Sequence, residues 1–124
     1  MYLGTPDVAV APLRALHAAG FDIALVVTRA DKRRGRGGAL VPSPVKACAL
    51  ELGLPVTENV DDAPATGADL GVVVAFGRII KPHVLGQLAM VNLHFSLLPR
   101  WRGAAPVERA ILAGDPTTGV CVMA

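Results

Sequence analysis

The sequence predicts an open α/β sheet, mostly parallel, with helices on both of its faces. Two observations support this fold class: short apolar runs alternate with helix-forming segments along the whole chain, and most of the runs are apolar at successive positions. Continuous apolar runs are expected of strands that are buried on both faces, as in parallel sheets. The 124 residues fit one domain, whose strand–helix–strand units should form right-handed crossovers.

Six apolar runs are predicted as strands. They are Met1–Leu3, Phe21–Thr28, Leu54–Thr57, Leu70–Phe76, Met90–His94 and Val120–Met123. The crossover between the third and fourth strands, Glu58–Asp69, has 12 residues, which is near the minimum for a parallel connection. Pro64 and Gly67 argue against a long helix there.

Capping residues and prolines predict four helices. Thr5 can cap the first, Pro6–Ala19, and Gly20 ends it. Pro12 interrupts this helix, so its regular part is expected from about Val10. The other helices are predicted over Pro44–Leu52 (with Ser43 as the cap), Lys81–Leu88 and Pro106–Ala113, and a polar loop over Arg29–Pro42.

The composition excludes several classes of protein. Hydrophobic residues make up 52% and charged residues 18% of the chain, which is not a disordered composition. The longest apolar runs are far shorter than the roughly 20 residues that cross a bilayer, and the first residues lack a signal-peptide pattern. Cys48 and Cys121 lie far apart and match no metal spacing, so we expect reduced thiols in a cytoplasmic protein that contacts no membrane.

The net charge of +2 is unevenly distributed. The segment from Arg29 to Arg36 holds five basic residues and one acid, Asp31, whereas the rest of the chain is mildly acidic. A local basic cluster of this kind indicates either an anionic partner or a solvated charged loop.

Asn92 and His94 are the first candidates for catalytic residues. Open α/β sheets bind ligands beyond the carboxyl ends of their strands, and this pair closes the fifth predicted strand. Residues two apart on a strand point to the same side. Two convergent donors there can stabilise an oxyanion, although a lone Asn and His near a turn are more often ordinary polar residues.

The residues that follow this pair form an unusual loop. Phe95–Pro99 is apolar but contains a proline, which favours an irregular segment that could line a site for a flat heteroaromatic ligand. Arg100 and Arg102 then flank Trp101. By composition this part indicates either an anion or nucleic-acid contact, or a solvated loop around a packed tryptophan.

This region resembles the signature of the methionyl-tRNA formyltransferase family. The motif from Asn92 to Val107 reads NLHFSLLPRWRGAAPV. Its first half resembles folate formyltransferases in general, whereas Arg-Gly-Ala-Ala-Pro and the opening Gly-Thr-Pro are more specific to the tRNA-acting family. Further segments that resemble the family are Gly4–Asp7, Gly35–Gly37, Pro42–Lys46, Val72–Gly77, Ala113–Asp115 and Thr118–Val120.

The resemblance implies roles at matching positions only, together with a Rossmann-like fold. Asn92 and His94 match the catalytic pair. The tetrahydrofolate-binding segment is matched by Ser96, Leu97, Leu98 and Pro99, and a second edge of that pocket by Gly77, Arg78 and Ile80. Arg36, accompanied by Arg33 and Arg34, matches the basic loop that grips the tRNA acceptor end.

The implied reaction belongs to one-carbon metabolism and translation initiation. A formyl group moves from 10-formyltetrahydrofolate, as co-substrate, to the α-amino group of methionine on initiator tRNA. Asn92 and His94 would hold the oxyanion of the tetrahedral intermediate, and no metal is expected. A monomer is expected.

Departures from the family predict that residues 1–124 are a partial catalytic domain. The family's catalytic Asp lies in a Gly-Leu-Asp-Thr-Gly-like segment after the sixth strand, and its C-terminal barrel domain comes later still; neither is in this sequence. Asp115 is not matched to that Asp, because it follows Gly114 at a helix end. We therefore expect this chain by itself to formylate poorly.

Three other functions are compatible with fewer of these features. A formyltransferase with a small-molecule amine acceptor would need a glycine-rich phosphate loop after the first strand, where Gly4–Asp7 has one glycine. A catalytically inactive folate- or RNA-binding module is the second alternative. A nicotinamide site is disfavoured, because no Gly-x-Gly-x-x-Gly follows the first strand.

Overall fold

One six-stranded sheet organises the fold. The structure, a computed structural model, describes residues 1–124. The strands of the sheet are β1 (Tyr2–Gly4), β2 (Val26–Val27), β5 (Val56–Thr57), β6 (Gly71–Val74), β7 (Met90–His94) and β8 (Cys121–Met123), and a separate ribbon contains β3 (Lys32–Arg34) and β4 (Ala39–Val41). Their order is β5-β2-β1-β6-β7-β8, and only β8 runs antiparallel to its neighbour. This is the mostly parallel α/β sheet that the sequence predicts.

Short helices connect the strands. The α-helices are α1 (Val10–Ala18), α2 (Pro44–Glu51), α3 (Pro82–Leu85) and α4 (Pro106–Leu112), and single 3₁₀ turns cover Asp7–Ala9, Val60–Asp62 and Pro64–Thr66. The regular part of the first helix starts at Val10, as Pro12 predicts. Ser43 caps α2 by accepting a hydrogen bond from the Lys46 amide at 3.0 Å, which confirms the predicted cap. No helix has the length and apolar character needed to cross a membrane.

The two faces of the sheet bury separate cores. Alternation along β1 sends Tyr2 to one face and Leu3 to the other, and both are fully buried. Tyr2 packs with Leu13 of α1 and Val45 of α2. Leu3 packs with a second cluster that includes Val84 of α3 and the 3₁₀ turns of the crossover. Helical segments therefore cover both faces.

The second strand is shorter than predicted. The apolar run Phe21–Thr28 contributes only Val26–Val27 to the sheet. A strand needs a hydrogen-bonded neighbour, and β1 pairs with β2 only at Tyr2–Val26 and Leu3–Val27. Phe21, at the start of the run, is 64% exposed.

The predicted polar loop contains an antiparallel ribbon. β3 and β4 pair Lys32 with Val41 and Arg34 with Ala39. Gly35 and Gly38 take positive φ values of 72° and 62° in the connecting turn, a conformation that glycine adopts without strain. The sequence did not predict this ribbon, because basic residues and glycines lack the alternation that marks a strand.

Candidate active site

Asn92 and His94 lie side by side at the carboxyl end of β7. The antiparallel register places them opposite Met123 and Cys121 of β8, so these four side chains share one face of the sheet. Both line a groove of about 700 Å³ together with Leu98, Pro99, Arg102, Gly103 and Met123. This volume is within the usual range of small-molecule sites, roughly 300–1,000 Å³.

A second groove meets the first at the same pair. It is lined by Asn92, His94 and Gly103, and it extends to the end of β6 at Ala75–Arg78 and to the start of α4. The two residues therefore stand between two openings. A ligand can therefore reach the pair from either opening.

The hydrogen bonds that Asn92 and His94 make within the protein determine which of their donors and acceptors remain available to a ligand. The Asn92 amide makes no hydrogen bond within the protein and reaches solvent, so two donors and one acceptor are free. His94 Nε2 lies 2.9 Å from the carbonyl oxygen of Trp101. A carbonyl can only accept, so Nε2 carries the hydrogen, and Nδ1 is the nitrogen that remains for a ligand.

The loop after β7 folds back on itself to place that carbonyl. The Ser96 amide donates to the His94 carbonyl at 2.9 Å, and the buried Ser96 hydroxyl donates to the Arg100 carbonyl at 2.7 Å. Trp101 has φ +59°, which is unusual for a residue other than glycine. The peptide between Leu98 and Pro99 is cis.

Asp115 fixes the same loop from the end of α4. Its carboxylate accepts hydrogen bonds from Arg100 Nε and Nη2 at 2.8 and 2.7 Å and from Trp101 Nε1 at 2.7 Å. The Arg100 guanidinium and the Trp101 indole hold the pKa of Asp115 at about 2, below its ordinary 3.8. Sequence reasoning did not assign Asp115 a role, because its partners lie 14 and 15 residues away.

The remaining residues of the matched loop segment differ in accessibility. Leu98 and Pro99 line the groove beside the pair, whereas Ser96 is buried beneath the loop and does not line it. Leu97 is 52% exposed and packs next to Gly119, where an added Cβ would lie 2.6 Å from its side chain. Only half of the segment therefore faces the groove.

The three residues predicted to form the second edge of the folate pocket also differ in position. Gly77 and Arg78 line the groove that reaches the end of β6. The Arg78 guanidinium lies 5.5 Å from the centre of the Phe76 ring and donates to the Glu58 carbonyl at 2.9 Å. Ile80 instead packs against the core cluster around Leu3.

The ribbon carries the basic residues away from the sheet. Arg33, Arg34 and Arg36 are exposed on β3 and its turn. The only acid of the basic segment, Asp31, pairs with Lys46 at 2.7 Å and not with these arginines. Arg33 Nη1 donates to the Gly38 carbonyl at 3.2 Å, so its charge stays unpaired.

At the base of the ribbon, Arg29 and Lys32 line a third groove with Thr5 and Pro6. This groove shares Ala75–Arg78 with the groove at Asn92 and His94. A basic surface therefore leads to the candidate site.

Comparisons with known proteins identify the family of the chain. The family described as formyl transferase matches residues 1–124. The chain is 51% identical over 133 aligned residues to a methionyl-tRNA formyltransferase of Symbiobacterium thermophilum, covering 99% of this chain and 41% of that protein. It is 56% identical over 135 to one of Synechococcus sp. (strain CC9605), covering 100% of this chain and 40% of that protein. The chain thus spans about 40% of the length of these relatives.

Solved structures are similar in fold. The phosphoribosylglycinamide formyltransferase of Streptococcus pneumoniae superposes with a TM-score of 0.74 at 20% identity, covering 98% of this chain and 69% of that one. That of Bacillus halodurans gives 0.72 at 21% identity, covering 98% and 68%. At this identity the likeness concerns the fold alone.

Proposed function

The chain belongs to the formyl transferase family, and from that premise we propose that it provides the folate-binding and formyl-transferring part of a methionyl-tRNA formyltransferase. The donor is 10-formyltetrahydrofolate, and the acceptor is the α-amino group of methionine on initiator tRNA. We infer this acceptor from the names of relatives whose sequences are about 50% identical to this chain over nearly its whole length.

One observation supports the proposal most: the free amide of Asn92 and the free ring nitrogen of His94 share one groove. The Asn92 amide is half-buried and has no hydrogen-bond partner within the protein, so its donors remain available to a ligand in the groove. The apolar side chains of Leu98 and Pro99 line the same groove, where a flat folate ring can pack. Gly77 and Arg78 would form the second edge of that pocket, and Ser96 and Ile80 would support it from beneath.

The proposed step uses both side chains. The neutral amine attacks the formyl carbon, so a carbon–nitrogen bond forms and the carbonyl electron pair moves to oxygen. The Asn92 amide donates to that oxyanion. In the neutral ring, His94 Nδ1 accepts the proton from the attacking nitrogen, and the resulting Nδ1–H then faces the negative charge. As the carbonyl re-forms, the bond to folate N10 breaks and N10 takes the proton that His94 Nδ1 received, so the neutral ring is restored.

The ribbon provides the proposed contact with tRNA. Arg36 lies at its tip between two glycines, with Arg33 and Arg34 on the adjoining strand. These arginines are exposed and have no acidic partner, so they can meet the phosphates of an acceptor stem. Their attraction to tRNA should weaken as salt concentration rises.

Folate binding tests the proposal, with the single tryptophan as the reporter. Trp101 is the only tryptophan of the chain and belongs to the loop that lines the groove. We expect saturable quenching of its fluorescence by 10-formyltetrahydrofolate. Leu98→Asp should weaken this binding at least tenfold, because it places an unpaired charge against the ring. The control Leu50→Asp, at an exposed site on α2, should leave it unchanged.

Transfer of a labelled formyl group to methionyl initiator tRNA tests the chemistry, with residues 1–124 extended through the family's Gly-Leu-Asp-Thr-Gly-like segment. The rate with His94→Ala should fall by roughly 10²-fold or more. His17→Ala, at an exposed position of α1, is the matched histidine control. Equal rates for the two variants, or equal use of glycinamide ribonucleotide as acceptor, would contradict the proposal.

A further inference from the structure

Trp101 holds His94 through its backbone rather than through its ring. The Trp101 carbonyl accepts the hydrogen of His94 Nε2 at 2.9 Å. This carbonyl belongs to a residue with φ +59°. A left-handed conformation in a residue other than glycine persists only where the surroundings hold it.

Asp115 and Arg100 supply those surroundings. The Asp115 carboxylate accepts from the indole Nε1 at 2.7 Å and holds both Nε and Nη2 of Arg100. The Arg100 guanidinium stacks 4.4 Å from the centre of the Trp101 ring. The indole is therefore held at its edge by a carboxylate and on its face by a cation.

The carboxylate is itself held in place. Its side chain is 14% exposed, and the Asp115 amide donates to the Ala110 carbonyl of α4 at 3.0 Å. The contact thus runs from α4 to Asp115, from Asp115 to the indole, and from the Trp101 carbonyl to His94.

We infer that Asp115 is a positioning residue, which acts through Trp101 to keep the hydrogen of His94 on Nε2 and to leave Nδ1 free for the attacking amine. Asp115 touches neither substrate in this account. The importance of Asp115 for catalysis rests on the proposed function, but its effect on the tautomer of the His94 ring does not. A residue that only stabilised the loop would change the stability of the fold without changing the tautomer.

Nitrogen NMR of the histidine rings measures the tautomer directly. At neutral pH, the unprotonated His94 ring of the wild-type chain should carry its hydrogen on Nε2. Asp115→Ala should lower the ratio of the Nε2–H to the Nδ1–H form by about fivefold. This factor corresponds to the net free energy of one hydrogen bond. Asp115→Asn, whose amide oxygen can still accept from the indole, should restore most of the ratio. Asp22→Ala, an exposed acid before β2, is the control.

A second variant keeps the test decisive if Asp115→Ala does not fold. Trp101→Phe removes the indole N–H and keeps an aromatic ring under Arg100, and it should lower the ratio by a similar factor. An unchanged ratio in the folded variants, or a wild-type ring with its hydrogen on Nδ1, would overturn the inference. If the tautomer responds while saturable folate binding is absent, the positioning role stands and the proposed function fails.

Discussion

At the scale of single residues, Asn92 and His94 contribute different chemistry to one groove. The Asn92 amide has no hydrogen-bond partner within the protein, so it can donate to an oxyanion whether or not the His94 ring is protonated. His94 has one nitrogen committed to the Trp101 carbonyl. The neutral ring therefore offers an acceptor, and it becomes a donor only after it gains a proton.

Replacing Asn92 by Asp tests the donor role at nearly constant shape. The carboxylate presents only acceptors and a negative charge where the oxyanion develops, so formyl transfer should fall by roughly 10²–10³-fold. Folate binding by Trp101 fluorescence should change far less. Gln87→Glu, an exposed amide-to-acid change on the loop after α3, is the matched control. Transfer by Asn92→Asp at the rate of this control would contradict the donor role.

The depressed pKa of Asp115 predicts a pH dependence of stability. Its folded pKa of about 2 lies below the ordinary 3.8, so the ionised form stabilises the fold above about pH 4, and this stabilisation is lost as the pH falls toward 2. The difference in urea midpoint between wild type and Asp115→Asn should be constant near pH 6 and should shrink below pH 4. A difference that does not change with pH would show that the contacts of Asp115 do not depend on its charge.

At the scale of elements, the sequence predicts those features that depend on local chemistry. β7 has the predicted bounds, Met90–His94, because an apolar run there ends at a polar pair. The start of α2 follows from Ser43 and Pro44, whose effects on a helix are local. These two elements set the position of the candidate site and the end of the predicted polar loop, Arg29–Pro42.

Features that depend on distant partners could not be predicted in this way. The length of β2 is set by its pairing with β1, and the ribbon forms from a segment without apolar alternation. Asp115 becomes important only when the fold brings it to Trp101. The resemblance matched residues to roles, but the hydrogen bonds of Ser96 place that residue beneath the groove rather than in it.

The cap of α2 predicts a clear effect on stability. The Ser43 hydroxyl accepts from the Lys46 amide and lies 2.6 Å from the hydroxyl of Thr28, and both hydroxyls are buried. Ser43→Ala should lower the free energy of unfolding by about 1–3 kcal/mol, because it removes the cap and leaves Thr28 unpaired. Chemical denaturation measures this loss. Thr117→Ala, at an exposed position between α4 and β8, should cost less than about 0.5 kcal/mol. A similar cost for both would refute the cap argument.

The ribbon predicts salt-dependent binding of tRNA. Arg36→Ala should weaken the affinity for methionyl initiator tRNA and reduce the slope of log affinity against log salt by about 1, since one phosphate contact is lost. Folate binding should not change. Filter binding at two salt concentrations gives both quantities, and Arg109→Ala on α4 serves as an exposed arginine control. If Arg36→Ala behaves like this control, the ribbon is only a solvated surface.

At the scale of the whole molecule, the candidate residues gather at one end of the sheet. The carboxyl ends of β1, β6 and β7 bring Thr5, Ala75–Arg78 and His94 to adjoining grooves. A further groove of about 490 Å³ lies at the opposite end and is lined by Met1, Phe21 and Leu70. Most of its lining residues are hydrophobic, but parallel sheets bind ligands at the carboxyl ends of their strands.

NMR distinguishes the two ends of the sheet as candidate sites for folate. Isotope-labelled chain should be titrated with 10-formyltetrahydrofolate and followed by NMR. We expect progressive shifts of the Asn92 side-chain amide and of the Leu98 and Gly77 signals, with no change at Phe21 or Leu70. Shifts confined to Phe21 and Leu70, or no saturable shift at Asn92, would contradict the assignment of the folate site to the groove of Asn92 and His94.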